Sequence, residues 1–339
     1  MTAGEPIFLQ AVRCPVLRAA YGFSCAQMNA LACELASHAA ALDGIETIAV
    51  GGSLGRLEAN IESDIDCIIV LRDGVPLAEG EAQTARVHEV LSRSPLKAPK
   101  LDGIYRQSIE RATLLDRTAL GSLSESPAVF GKRIALLLDA RPLFGGERFH
   151  RLQGEVIQWY GADFLASAPA RGWTYLSNDL MRYLHSYALW QQFKFARSSD
   201  DSWQLRQAKF RTSRIVTFAA LMFLLGESDR DSDKMRWLHE RLALTPLQRL
   251  HQIMGAYDPN TYAQLLAVYE AAIDGLTDNG VRAQLIRTGP DADTRLTAPA
   301  GAAYVRIKSV STAISRLLVE FAMARREDWG ARFFERWLL

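Results

Sequence analysis

The amino-acid sequence predicts a mixed α/β domain over residues 1–150 followed by an all-helical domain over residues 151–339. Three observations lead there. Strand-like and helix-like segments alternate up to Gly146, the order that builds a sheet flanked by helices. From Glu147 onward nearly every segment has helical spacing, with polar breaks such as "RSSDDS" (Arg197 to Ser202) and "GESDRDSDK" (Gly226 to Lys234) between them. The chain is also long enough for two cores: 339 residues, 49% hydrophobic and 23% charged, are ordinary values for a soluble globular protein.

The elements follow in order. "CAQMNALACELASHAAA" (Cys25 to Ala41) has the Ala/Leu richness and spacing of an amphipathic helix. Ile45 to Val50 reads as a short strand that Gly51-Gly52 ends. Ser53 is placed to cap a short helix running through Asn60, with Glu58 and Asn60 turned to solvent. "SDIDCIIVLRDG" (Ser63 to Gly74) is a second strand, closed by Asp73-Gly74 as a turn. Gly80 to Ser94 reads as a helix and Leu101 to Glu110 as a third strand. The apolar run Arg133 to Gly146, broken by Arg-Pro and Gly-Gly, fits helix or strand equally on periodicity. In the helical half, Tyr175 to Lys194 and Trp203 to Leu225 read as consecutive helices. A last helix from Ala302 puts Val305, Val310, Ile314, Leu317, Leu318 and Phe321 on one broad face.

Composition narrows the function classes. A net charge of +1 and a pI near 7.7 make no global electrostatic case for nucleic-acid binding, leaving only a local basic patch. Cys14, Cys25, Cys33 and Cys67 are scattered without metal-ligand spacing, which reads as reduced thiols in a cytoplasmic protein. The N-terminus lacks a basic region followed by an apolar core. The longest apolar run, Ile215 to Gly226, is too short to cross a bilayer, so no membrane partner is expected.

The chemistry concentrates in "VGGSLGRLEANIESDIDCIIVL" (Val50 to Leu71). Residues two apart in a strand share a face, so Asp64 and Asp66 project side by side. Carboxylates that close repel unless a cation lies between them, and Mg²⁺ is the hard, oxygen-seeking ion commonly shared with substrate phosphates. Upstream, Gly51 and Gly52 let the backbone approach a ligand, and the helix start after Ser53 offers N–H groups to a phosphate. A triphosphate held there would bring two Mg²⁺ ions to the aspartates.

Gly52-Ser53, Arg56 and then Ser63-Asp64-Ile65-Asp66 resemble the signature of the DNA polymerase β-like nucleotidyltransferase superfamily, a Gly-Ser turn followed by D-x-D after a short helix. Small bacterial members often carry a glycine after the helix arginine, where this chain has Leu57. "LLLDARPLFGGERFHRLQ" (Leu136 to Gln153) is similar to the D-x-R-x-x-x-G segment that closes the transferase domain in bacterial uridylyltransferases of PII signalling proteins and their uncharacterised relatives. Over about residues 25 to 155 the resemblance implies a mixed sheet flanked by helices, Mg²⁺ dependence, and transfer of a nucleoside monophosphate from NTP with pyrophosphate released. It assigns the nucleotide to Gly51, Gly52, Ser53 and Arg56, and the metals to Asp64 and Asp66.

Such sites add a third acid from a neighbouring strand. Asp102 is the candidate, because its segment follows the D-x-D strand after one helix, and Asp139 is the alternative. The resemblance implies that Asp139 instead fixes the end of the domain, as a salt bridge with Arg141. Asp179, Arg182 and His185 or Ser186 form a polar line on one helix, and Arg206, Lys209 and Ser213 form another on the next. Arg182, Arg206 and Lys209 are the cations expected to meet the triphosphate or an acidic acceptor; a solvated basic face is the plainer alternative. The near-neutral charge and the bulky helical domain favour a protein or compact small-molecule acceptor over a long RNA. Two other functions stay open: a catalytically silent nucleotide-binding regulator, and one component of a toxin–antitoxin or defence pair.

Overall fold

The computed structural model describes residues 6–98, 103–119, 122, 124–167, 173–197, 202–286 and 301–338. The chain forms two compact units, each gathered from separate stretches. One comprises Ala19–Asp179 with Ser228–Thr245; the other comprises Met1–Arg18, Leu180–Glu227 and Pro246–Leu339. Position 150 lies inside a helix that runs Gly146–Ser167.

The first unit holds a four-stranded mixed sheet. Its strands are β1 (Ile45–Gly51), β2 (Asp66–Leu71), β3 (Ile109–Glu110) and β4 (Arg141–Phe144), in spatial order β3-β2-β1-β4. β1 is antiparallel to both β2 and β4, and β2 runs parallel to β3. Alternation along β1 and β2 sends Ile48, Val50, Cys67 and Ile69 to one face. There they pack with Leu31 and Leu35 of α1 (Pro15–Ser37) and with Val87 and Val90 of α3 (Leu77–Ser92). Between β1 and β2 lies a single helical turn, α2 (Gly52–Gly55). Arg111–Leu114 (α4) and Pro127–Leu138 (α5) precede β4, and Gly146–Ser167 (α6) follows it and packs on β1.

The structure revises several boundaries. α1 begins ten residues before the predicted start, at Pro15. The third strand shrinks to Ile109–Glu110, since Gly103 to Gln107 turns instead. The ambiguous run resolves into both readings: helix to Leu138, then strand from Arg141. α5 buries its residues on all sides from Phe130 to Leu138, which is why it shows no usable period.

The second unit is helical. Its elements include α7 (Thr174–Arg197, from Leu180 on), α8 (Trp203–Lys209) and α9 (Ile215–Ser228); α10 (Lys234–Leu242), next in the chain, belongs to the sheet unit, and the helical unit resumes with α11 (Pro246–Tyr257), α12 (Pro259–Thr277), α13 (Asn279–Ile286) and α14 (Ala302–Ala324). Phe210–Arg214, between α8 and α9, winds as a wider π-turn. Asp258 starts α12 by accepting the Thr261 N–H at 3.0 Å, a cap the sequence pattern D-P-N-T makes possible. Glu270 of α12 takes the N–H groups of Val16 and Leu17 at 2.7 and 2.9 Å, satisfying donors at the start of α1. On α14 the buried face holds the predicted Ile314, Leu317, Leu318 and Phe321, extended by Tyr304, Ile307 and Ser311; of the other predicted residues, Val305 is exposed and Val310 half-buried, so the stripe is rotated at the helix start. Among the described residues no helix is long and apolar enough to cross a membrane.

Candidate active site

The sheet register assembles the site. Gly51 of β1 pairs with Asp66 of β2, so the glycine turn and the second aspartate start as neighbours. Gly52 then turns at φ +64°, a conformation that L side chains rarely adopt. A Cβ on Gly52 would sit 2.5 Å from Asp66 Oδ2, so only glycine lets this carboxylate lie against the turn. Asp64 stands just before β2, where Lys97 forms a parallel bridge with it; Lys97 N donates to Ser63 O and Ile65 N to Lys97 O. Ile65 is buried in the core between two half-buried aspartates, which leaves Asp64 and Asp66 on the shared opposite face.

Ser53 does not cap. The turn's N-cap is Gly51, without a side-chain hydrogen bond, and α2 stops after four residues, so the predicted helix to Asn60 does not form. What replaces it is a folded-back strap: Arg56 N donates to Gly52 O, Leu57 N to Leu54 O and Glu58 N to Ser53 O. Leu57 takes φ +61°, the left-handed conformation that glycine adopts at no cost. The turn is therefore kept with a leucine. Gly55 is the tightest point, because a Cβ there would lie 2.2 Å from the Asp139 carbonyl and 2.6 Å from that of Val50.

Arg56 and Glu58 are buried rather than turned to ligand or solvent. Arg56 Nε donates to Glu58 Oε2 at 2.9 Å and Nη1 to Asp139 Oδ2 at 2.7 Å. The guanidinium assigned to nucleotide binding thus braces the loop from below. The other Asp139 oxygen, Oδ1, comes to 3.2 Å from where a Gly51 Cβ would be. Asp139 accordingly pairs with Arg56, not with Arg141, whose Nη1 donates to the Ala243 carbonyl at 3.0 Å.

No family model and no curated protein matches this chain.

Asp102, the predicted third acid, lies outside the described residues. Among the described residues no group of three or more His, Cys, Asp or Glu is placed to hold a metal. Asp64 and Asp66 nevertheless fit a hard cation: both offer carboxylate oxygens from one face, and Asp66 Oδ2 fills the space that a side chain at Gly52 would take. Beneath them, burial pushes the Cys67 thiol up to about 12, with Asp66 adding to the rise and Lys132 opposing it. Burial lowers Lys132 of α5 to about 8, against the pull of Cys67. No sequence signal singled out Lys132, because it sits inside an apolar run.

The helical cations belong to the other unit. Arg182 is on α7, and Arg206 and Lys209 are on α8, all three in the second unit and half-buried. The polar line on α7 dissolves at its start: Asp179 is buried in the first unit, accepting from Tyr160 OH at 2.7 Å and lying 3.8 Å from Arg133. His185, three residues beyond Arg182, is exposed.

Proposed function

We propose that the protein is a nucleotidyltransferase that moves a nucleoside monophosphate from NTP to a hydroxyl and works in the cytoplasm. The observation that carries the reading is Gly52, held at φ +64° so that the Asp66 carboxylate lies against the glycine turn. Asp64 and Asp66 would hold Mg²⁺, with Asp102 as the third acid; the ions, when bound, would offset charge on the triphosphate and on the entering and leaving oxygens. The backbone at Gly51, Gly52 and Ser53 receives the phosphates. Arg56 acts through Asp139 and Glu58, keeping the strap folded under that turn. Arg182, Arg206 and Lys209 remain the proposed cations for the triphosphate or an acidic acceptor.

In the transfer itself, the acceptor oxygen attacks the α-phosphorus and the bond to the α,β-bridging oxygen breaks. Pyrophosphate leaves with that electron pair. The hydroxyl proton passes to a carboxylate of the site or to water. The test is incubation with Mg²⁺, each α-labelled NTP and a cell lysate as acceptor pool, beside Asp64→Ala/Asp66→Ala. Label in one acceptor fraction together with pyrophosphate, both absent in the variant, is the expected result. Nucleotide binding with neither product would favour the regulator. That second reading has its own support, since the Asp139 carboxylate is already committed to Arg56.

A further inference from the structure

We propose that the helical unit carries a binding face for single-stranded nucleic acid, built on Tyr187 to Trp190 of α7 and the π-turn Phe210–Arg214. The near-neutral total charge hides a division. The helical unit has 20 Lys/Arg against 14 Asp/Glu, a net +6, while the sheet unit has 19 against 24, a net −5. The excess is local: from Leu180 to Arg214 there are seven basic residues and two acidic ones. A polyanion is the partner such a stretch attracts.

Side-chain geometry narrows the polyanion to one with flat bases. Tyr187 and Phe210 are stacked, 19° between planes and 6.0 Å between centroids. The Arg214 guanidinium lies 4.2 Å from the centre of the Tyr187 ring, and Trp190 is the next ring along at 6.3 Å. Layers of rings and guanidinium planes are what unpaired bases stack on, while flanking cations follow the phosphates. Trp190 is 53% exposed, and Leu189 and Arg211 beside this layer are exposed too. An acidic peptide would satisfy the cations but bring no flat face to Tyr187 and Trp190. Phe210 and Arg214, four positions apart and so on one side of their turn, meet the same tyrosine.

The experiment is fluorescence anisotropy of a labelled oligouridylate of about 20 nucleotides with the full chain, in chelator and without NTP. Micromolar binding is expected. A fourfold rise in salt should weaken it about 20-fold if some three phosphates are contacted. Trp190→Ala should cost about tenfold by loss of one stacking partner. Arg211→Glu should weaken binding and flatten the salt dependence. Both residues are exposed, so both variants should melt as the parent does. No anisotropy change at about 100 µM protein, or binding indifferent to both substitutions, would overturn the proposal. Equal competition by polyglutamate would also overturn it, in favour of an acidic peptide. Since neither NTP nor Mg²⁺ is present, Asp64→Ala/Asp66→Ala should bind as the parent does, which keeps this result separate from the transferase reading.

Discussion

Three glycines show how much one missing methyl group decides here. Gly55 faces two backbone carbonyls that cannot move aside, so Gly55→Ala should cost about 3 kcal/mol in a denaturant titration. Gly22, inside α1 with nothing within 4 Å of its would-be Cβ, should behave oppositely, Gly22→Ala adding about 0.5–1 kcal/mol. Gly52→Ala combines a positive φ with a clash on Asp66; the transfer activity should fall about 10²-fold, measured as pyrophosphate release, even if the chain still melts cooperatively. Lys132 gives a prediction with a sign. Folded, it loses its proton at about 8, against 10.5 for the free group, so between those values the unfolded chain holds more protons and stability rises with pH. Below about 8 the buried charge exerts its full cost, and Lys132→Met should be more stable than the parent at pH 7 by about 1–3 kcal/mol, the gap closing toward pH 10.5. A gap that stays constant with pH would show that Lys132 is not desolvated. At this scale the sequence displayed Asp64, Asp66 and the two glycines plainly, because their positions break an apolar pattern. Glu58 and Lys132 were illegible for the reverse reason: a charge in a polar loop reads as solvated, and a lone charge in an apolar run reads as its edge.

Elements were legible where a short apolar run is closed by a turn signal, as in β1 and β2, or where one helix face only is buried, as in α3; their predicted limits lie within a few residues of the observed ones. α5 is enclosed on every side, and β3 is two residues long, too short for any alternation to register. The α2 strap was misread because its hydrogen bonds run through a left-handed leucine and a buried arginine, neither of which leaves a local pattern. Arg56 joins that strap to the end of α5 through Asp139. Arg56→Ala would take this cation from the buried Glu58 and the half-buried Asp139, which should destabilise the chain by about 3 kcal/mol. The urea midpoint should fall with an unchanged slope. Arg56→Lys should recover only part of the loss, since an ammonium cannot present two differently directed N–H groups to the two acids in the guanidinium's geometry. Full recovery by lysine would mean that charge alone, not the fork, holds the strap.

For the molecule as a whole, the change of character at Gly146 is real in the sequence, but folding units are defined by what covers what. The sheet unit takes its cover from beyond that point. α6 packs on β1. The buried Arg133 of α5 donates to Tyr160, lies 4.2 Å from the Trp159 ring and ion-pairs with Glu125. Trp173 donates to Ser228 at 2.7 Å, and Arg141 reaches Ala243, so even the returning stretch Ser228–Thr245 is part of the same core. Such long-range closures cannot be seen in a periodicity that extends over a dozen residues. They make a definite claim about fragments. Residues 1–150 alone keep all four strands yet strip α6 to its first turn and leave Arg133 and Glu125 without the aromatic wall around them. An uncovered sheet face and a buried ion pair stripped of its cover each cost several kcal/mol, comparable with the entire stability of a domain. The fragment should therefore show no cooperative thermal transition by circular dichroism, while the full chain melts cooperatively. A cooperative melt of residues 1–150 would mean that the strands and α1, α3 and α5 suffice, and that the later helices are an addition to a finished domain.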